Sequence, residues 1–126
     1  MTVHIREEMI QVTTSEDVSA PGFRYKGLTW AGAVAQDNKR PAGIMKFGAT
    51  SGGIASVILE GITKGDTASA ITTAGWPVKF TTSGWLTAAA SGDQVIGRYI
   101  GQTAAASGDR IPVVVDGKCL SFWSGQ

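Results

Sequence analysis

Glycine is spread through this chain so evenly that long helices are disfavoured. The sequence has 17 glycines, and from Gly22 onward they interrupt any apolar stripe of helical period. The window with the most helical character, Gly27–Gln36, has Gly32 near its centre. Short strands joined by tight turns fit this pattern better than helices do.

Turn signals recur through the second half of the chain. Ser83-Gly84 indicates a two-residue hairpin between "WPVKFTT" and "WLTAA", and Asp116-Gly117 indicates a type I′ hairpin before "KCLSFW". The apolar segments "IASVILEGI" and "RIPVVV" are typical of strands. We therefore predict an all-β fold, with a small barrel-like or sandwich-like domain of short strands and hairpins over residues 23–126.

The string "TAAASGD" occurs twice, at Thr87–Asp93 and at Thr103–Asp109. Its glycine allows the positive φ of a tight turn, and its aspartate can bond to nearby backbone. We interpret the string as a repeated strand-turn-strand unit, with Gly65-Asp66 as a degenerate third copy. Small side chains permit close approach, so we predict that the alanines line a subunit interface: Ala88, Ala89, Ala90, Ala104, Ala105 and Ala106.

Residues 1–22 differ from the rest of the chain. They carry four of the ten acidic residues and too few apolar residues to form a core alone. We predict an extended arm that binds a partner by adding a strand to its sheet; the alternatives are a frayed terminus and an edge strand of the same domain. The residues predicted to bind the partner are Val3, His4, Ile5, Arg6, Met9, Ile10 and Val12.

The sequence offers no constellation suited to catalysis. His4 and Cys119 are the only histidine and cysteine, whereas a zinc site needs three or four such ligands and a nucleophile needs a rigidly held base. Asp66, Asp93 and Asp109 each stand alone beside a glycine, unlike the alternating ligands of a calcium loop. We predict a protein without enzymatic activity, metal or cofactor.

The charge balance argues against binding to nucleic acid or membrane. Eleven basic and ten acidic residues leave a net charge of +1, whereas nucleic-acid binding needs several cations on one face. No stretch approaches the roughly 20 apolar residues of a membrane span. A lone cysteine allows no intrachain disulfide, which fits synthesis in the cytoplasm.

One region of the chain resembles a known family. From Gly53 to Val115 the segments "GGIASVILEGITKGD", "AITTAGWPVKF" and "SGWLTAAASGDQVIGRYIGQTAAASGDRIPVVV" are similar to the capsid decoration, or cement, proteins of tailed bacteriophages. The similarity covers about half of the chain and is a pattern of turns and small residues. The chain departs from the pattern at Trp76, where an acidic residue is usual after the glycine.

The resemblance implies a β-rich protein that binds the outer surface of the mature capsid. Such a protein bridges major capsid protein subunits and stabilises the shell against the pressure of packaged DNA. Members are often homotrimers and some are dimers, and in several an N-terminal arm extends a sheet of the capsid protein. We expect the same partners here, with no nucleic acid and no membrane, in a virion protein made in the host cytoplasm.

The tryptophans leave a second function open. The chain has Trp30, Trp76, Trp85 and Trp123, which could form a stacking platform for sugars. We favour a role in the core, because Trp76 and Trp85 flank one hairpin and each brings a large apolar surface to a small domain. A carbohydrate-binding module of a phage fibre or secreted protein is the alternative function.

Overall fold

The structure, a computed structural model, describes residues 8–36, 41–90, 93, 95–101 and 104–115. Within these residues there are two single 3₁₀ turns and no α-helix, so the predicted all-β fold is confirmed. The strands are β1 (Glu8–Thr13), β2 (Gly27–Thr29), β3 (Pro41–Phe47), β4 (Ile54–Asp66), β5 (Pro77–Phe80), β6 (Leu86–Ala88), β7 (Gly97–Tyr99) and β8 (Arg110–Val115).

The long strand β4 belongs to two antiparallel sheets. Its first part, Ile54–Glu60, pairs with β1 on one side and β3 on the other, and β2 pairs with β3. We call this group the N-terminal sheet. Its second part, Gly61–Asp66, pairs with β8, which is followed by β7, β5 and β6. This group is the C-terminal sheet.

The C-terminal sheet nearly closes into a barrel. Thr67, directly after β4, forms a parallel bridge with Leu86 of β6. The N–H of Ala68 donates to the carbonyl of Leu86 at 2.7 Å. The chain at the end of β4 thereby contacts β6, the strand at the other end of the sheet. This contact covers strand edges that would otherwise be open. The barrel-like prediction is confirmed.

Each sheet has its own apolar core. The core of the barrel is built mainly from β4 to β8 and their connections, and it includes Ile71, Val78, Leu86, Tyr99, Ile111, Val113 and Val115. The core of the N-terminal sheet contains Val12, Val18, Leu28, Val34, Ala42, Met45, Ala55 and Val57. Ile44 of β3 packs in the barrel core, so β3 contributes side chains to both.

The predicted turn at Ser83-Gly84 is present, but the strand pairing leaves three residues, Thr82–Gly84, between Thr81 and Trp85 in place of the two expected. Ser83 and Gly84 have φ angles of 57° and 78°, and the N–H of Trp85 donates to the carbonyl of Thr82 at 3.2 Å. Two successive positive φ angles characterise the type I′ turn, which matches the twist of paired strands. It joins β5 to β6 in register, with Phe80 opposite Leu86.

One local prediction holds and one does not. Gly27–Gln36, the window with the most helical character, forms β2 followed by a turn, in line with the preference for short strands. Asp66 does not follow a turn, because β4 continues through it and pairs residue by residue with β8. A glycine beside an aspartate is a turn signal only where the chain lacks a pairing partner, and here Gly65 lies opposite Ile111.

The structure places the later part of the predicted arm within the domain. β1 pairs with β4 from Glu8 to Thr13, and Val12 and Val18 are buried. These contacts match the edge-strand alternative, because Ile10 and Val12 lie opposite Val57 and Ala55. No described strand pairs with the other edge of β1. Residues 1–7, with Val3, His4, Ile5 and Arg6, lie outside the described residues.

Candidate interaction surface

The described residues of the two copies of "TAAASGD" make the same hydrogen bonds. The Asp93 carboxylate accepts the N–H of Ala90 at 2.7 Å, and the Asp109 carboxylate accepts the N–H of Ala106 at 2.8 Å. In each copy the aspartate N–H also donates to the carbonyl of the same alanine, at 3.0 and 3.1 Å. Each carboxylate therefore stabilises its own copy of the repeat, as predicted, by a hydrogen bond to the alanine that lies three residues before it.

The alanines of the repeat do not share one environment. Ala89 and Ala105 are buried, and Ala88 packs against the barrel core. The central alanine of each copy therefore fills the interior of this domain and is not available to a second subunit. Ala90, Ala104 and Ala106 are exposed and remain the part of the predicted interface that another chain could reach.

Described acidic side chains do not gather into a metal site. Within the described residues, no three His, Cys, Asp or Glu side chains come together where they could hold an ion. The same part of the chain has no helix that is long and apolar enough to cross a membrane. The features that stand out are instead a charged cluster, an exposed sheet face and a cleft.

The charged cluster joins residues from three separate segments. Asp66, at the end of β4, accepts hydrogen bonds from the ammonium of Lys26 and, at 2.8 Å, from Nε of Arg110. The side chains of Lys26 and Asp66 are only 8% and 7% exposed. The ammonium also lies 4.0 Å from the centre of the Trp85 ring, a favourable cation–π position. The cluster ties the segment before β2 to β4 and β8.

Two opposing effects act on the pKa of Asp66. Burial alone would raise that pKa, because it penalises the charged carboxylate. The hydrogen bonds from Arg110 and Lys26, together with their positive charges, outweigh burial and lower the pKa below its ordinary value. Asp66 is therefore held as an anion. Sequence reasoning missed this cluster, since its members are separated by 40 or more residues along the chain.

One face of the N-terminal sheet is exposed and partly apolar. On the side opposite the buried Val57 and Ala55, β1, β3 and β4 present a set of neighbouring side chains. We call this set the exposed sheet face: Met9, Gln11, Thr13, Phe47, Ile54 and Ser56. Met9, Phe47 and Ile54 are 52%, 54% and 60% exposed.

The exposed sheet face concentrates apolar surface. Of the five large apolar side chains that are exposed in the described parts of the chain, three lie on it. Scattered exposed apolar residues are ordinary in monomers, but clusters mark interaction sites. The guanidinium of Arg24 lies 5.1 Å from the centre of the Phe47 ring and 4.9 Å from that of Tyr25. Aromatic residues and arginine are the types enriched in interfaces.

Of the three predicted arm residues that the structure describes, only Met9 lies clearly on this face. Met9 is exposed there, whereas Ile10 is half-buried and Val12 is buried against the opposite core. Phe47 and Ile54 were not singled out from the sequence. The alternation in "IASVILEGI" predicts that Ile54 faces away from Ala55 and Val57. It does not predict that no other segment packs over that face.

The tryptophans divide into core and surface. Trp76 packs against the barrel core, and its indole N–H donates to the carbonyl of Ala89 at 3.0 Å. Trp85 is half-buried beneath the ammonium of Lys26. Both therefore serve the fold, as expected, and neither forms an open sugar platform. Trp30 is 54% exposed, and Trp123 lies outside the described residues.

Comparison with known proteins identifies a fold relative. No family model matches the chain, and no curated protein matches it in sequence. Among solved structures, it is similar to the N base of the head fiber gp8.5 of bacteriophage phi29. The match has a TM-score of 0.64 at 15% identity and covers 92% of this chain and 99% of that one. At this identity the similarity establishes a shared fold.

Proposed function

We propose that this protein is a structural component of a tailed-phage head, where it acts as a capsid decoration protein. It binds the outer surface of the mature capsid, bridges neighbouring major capsid protein subunits and stabilises the shell against the pressure of packaged DNA. It performs no catalysis, uses no cofactor and self-associates, with a homotrimer as the expected state. It is made in the host cytoplasm and resides on the virion.

The observation that carries the proposal is the fold match over 92% of the chain to the base of a phage head fiber. A base is the part of a fibre that meets its support, so the fold is suited to docking on a larger structure. The sequence resemblance of Gly53–Val115 to decoration proteins points in the same direction and rests on different features, the turns and small residues.

The exposed sheet face supplies a docking surface for the capsid. Its apolar members are uncovered in the described structure, and their burial would favour binding. Fully burying an isoleucine contributes about 1.5–3 kcal/mol, so the 60% of Ile54 that is exposed is worth roughly 1–2 kcal/mol at a docking contact. That amount corresponds to about fivefold to thirtyfold in affinity for each site. Oligomeric binding would multiply such effects.

Binding to capsids tests the proposal directly. Purified protein is sedimented with expanded, decoration-free capsids of the encoding phage and with unexpanded capsids as the comparison. We expect binding to expanded shells and a higher temperature of shell rupture once the protein is bound. Failure of the folded wild-type protein to bind expanded shells would overturn the proposal.

Matched substitutions locate the docking surface. Ile54→Ser should weaken capsid binding by about fivefold to thirtyfold. Ile100→Ser is the control, because Ile100 is also exposed, at 39%, but follows β7 in the other sheet. It should bind as the wild type does. Equal binding by both folded variants would rule out the exposed sheet face and leave capsid binding by another surface.

A second function, the base of a head fibre, is favoured by the description of the matched structure. A fibre base shares the docking step but carries a projecting structure in place of reinforcing the shell. Electron microscopy of the virion separates the two. Density that ends at the domain supports decoration, whereas a fibre extending from the domain supports the base.

A further inference from the structure

The turn after β2 forms one wall of a surface cleft that lies apart from the exposed sheet face. The cleft has a volume of about 500 Å³, within the range of sites that hold small-molecule ligands. Its lining includes Glu16, Thr29, Trp30, Ala33, Val34 and Gln36. Apolar surface predominates, with a carboxylate and an amide at the margin, which is the usual composition of a ligand site.

The backbone around Trp30 is held in place by hydrogen bonds from two sides. The N–H of Gly32 donates to the carbonyl of Thr29 at 3.0 Å, and the N–H of Ser15 donates to the carbonyl of Gly32 at 3.0 Å. Gly32 has a φ of 86° and lies directly against the backbone of the segment that follows β1. A side chain at this position would collide with that backbone. The turn that presents Trp30 is therefore rigid before any ligand binds.

The polar groups of the cleft are also positioned in advance. Oε1 of Glu16 accepts the N–H of Val34 at 2.9 Å, which fixes the carboxylate in the cleft that Trp30 also lines. Oε1 of Gln36 accepts the N–H of Ser83 at 3.2 Å. This bond leaves the NH₂ group of the Gln36 side chain as a hydrogen-bond donor for a ligand. Preorganised groups bind ligands with a smaller loss of conformational entropy.

These groups match the chemistry of a sugar ring. The indole of Trp30 offers a flat apolar surface for the C–H face of a pyranose, while Glu16 accepts from hydroxyl groups and the Gln36 amide donates to them. The described lining contains one carboxylate and no cation, which disfavours phosphates and other anions. A single basic side chain would also suit Trp30 and Glu16, but it would leave the half-buried Ala33 uncovered.

We propose that the Trp30 cleft is a binding site for a neutral saccharide. The site lies apart from the exposed sheet face and does not depend on capsid docking. Trp30 stacks on the sugar ring, Glu16 and Gln36 orient the hydroxyl groups, and the rigid turn keeps the cleft open. A head protein with such a site would contact a glycan while its other surface contacts the capsid.

A saccharide titration tests the proposal. The probes are neutral oligosaccharides of glucose, galactose, mannose and N-acetylglucosamine, added to the full chain and followed by the NMR signals of the indole N–H groups. Trp30→Ala assigns the Trp30 signal. We expect at least one probe to shift that signal. By titration calorimetry of both proteins with that probe, Trp30→Ala should lower the affinity by more than about tenfold, as truncation of a central aromatic contact does.

The matched control is Phe47→Ala, since Phe47 has the same 54% exposure as Trp30 but lies on the exposed sheet face. This variant should bind the saccharide as the wild type does, and Trp30→Ala should bind capsids as the wild type does. The proposal is overturned if no probe shifts the Trp30 signal, or if Trp30→Ala retains full affinity. Occupation of the cleft by a lysine-rich peptide instead of any saccharide would also overturn it.

Discussion

Replacing Asp66 with asparagine should destabilise the domain more than any other single change of a carboxylate to an amide among its described residues. Asparagine keeps an acceptor oxygen but removes the charge that faces Lys26, whose side chain is 8% exposed. Breaking a buried ion pair by removing one partner costs about 3–5 kcal/mol, because the other charge stays buried without compensation. The retained acceptor places Asp66→Asn near the lower end, at about 3 kcal/mol.

Urea unfolding of the full chain measures this loss. With a slope of about 1–3 kcal/mol per molar urea, a loss of about 3 kcal/mol moves the midpoint by roughly 1–3 M. Asp93→Asn is the matched control, since the Asp93 carboxylate is 27% exposed and lies 3.4 Å from the ammonium of Lys79. A pair this exposed contributes about 1 kcal/mol or less. Equal losses in the two variants would refute the reasoning.

A second substitution tests whether the buried ammonium is the cause. Lys26→Met in the Asp66→Asn background removes the uncompensated charge while keeping a long apolar side chain. We expect this double variant to regain part of the lost stability, because replacing all the charges of a buried pair is often neutral. A further loss from Lys26→Met in that background would show that the ammonium is not the source of the destabilisation.

Three further predictions follow from the same contacts. Because the pKa of Asp66 is lowered on folding, its contribution is present above the unfolded pKa of about 3.9 and is lost as the pH falls through the folded value; acid titration of stability should show a smaller loss in Asp66→Asn than in wild type. Ala105→Leu should cost about 1–3 kcal/mol through overpacking, while Ala104→Leu at an exposed position should change the melting temperature little. Gly97→Ala should prevent β7 from pairing with β8, because a Cβ at Gly97 would meet the carbonyl oxygen of Val114; a native-like thermal transition for this variant would contradict that.

The strands and their turns were readable from the sequence because their causes are local. The hairpin at Ser83-Gly84 follows from residues that tolerate positive φ, and each "SGD" turn is held by an aspartate bonding a backbone three residues away. Such contacts close only a short loop and therefore cost little conformational entropy. The same residues accordingly favour the same geometry wherever they occur. The described residues of the two copies make the same pair of hydrogen bonds.

The role of a segment could not be predicted from its sequence where that role depends on pairing with a strand far away in the chain. The alternation of Ile10 and Val12 is equally suited to an arm on a partner and to an edge strand, and only the structure shows that β1 pairs with β4 over residues 8–13. Gly65-Asp66 resembles a turn in sequence, but β8 pairs through it. Pairing partners far apart in the chain override local preference, because strand propensity depends on context.

The sequence by itself determined an all-β domain with few charges, its turn chemistry and its repeated unit, since these depend on glycine placement and short-range hydrogen bonds. Only the tertiary structure decided which side chains remain available for binding. It buried Ala89 and Ala105, packed the half-buried Trp76 against the barrel core and left Trp30 and Ile54 exposed. The physical reason is that exposure depends on which distant segment packs over a residue, and residues of the same type, such as these tryptophans, differ only in that packing.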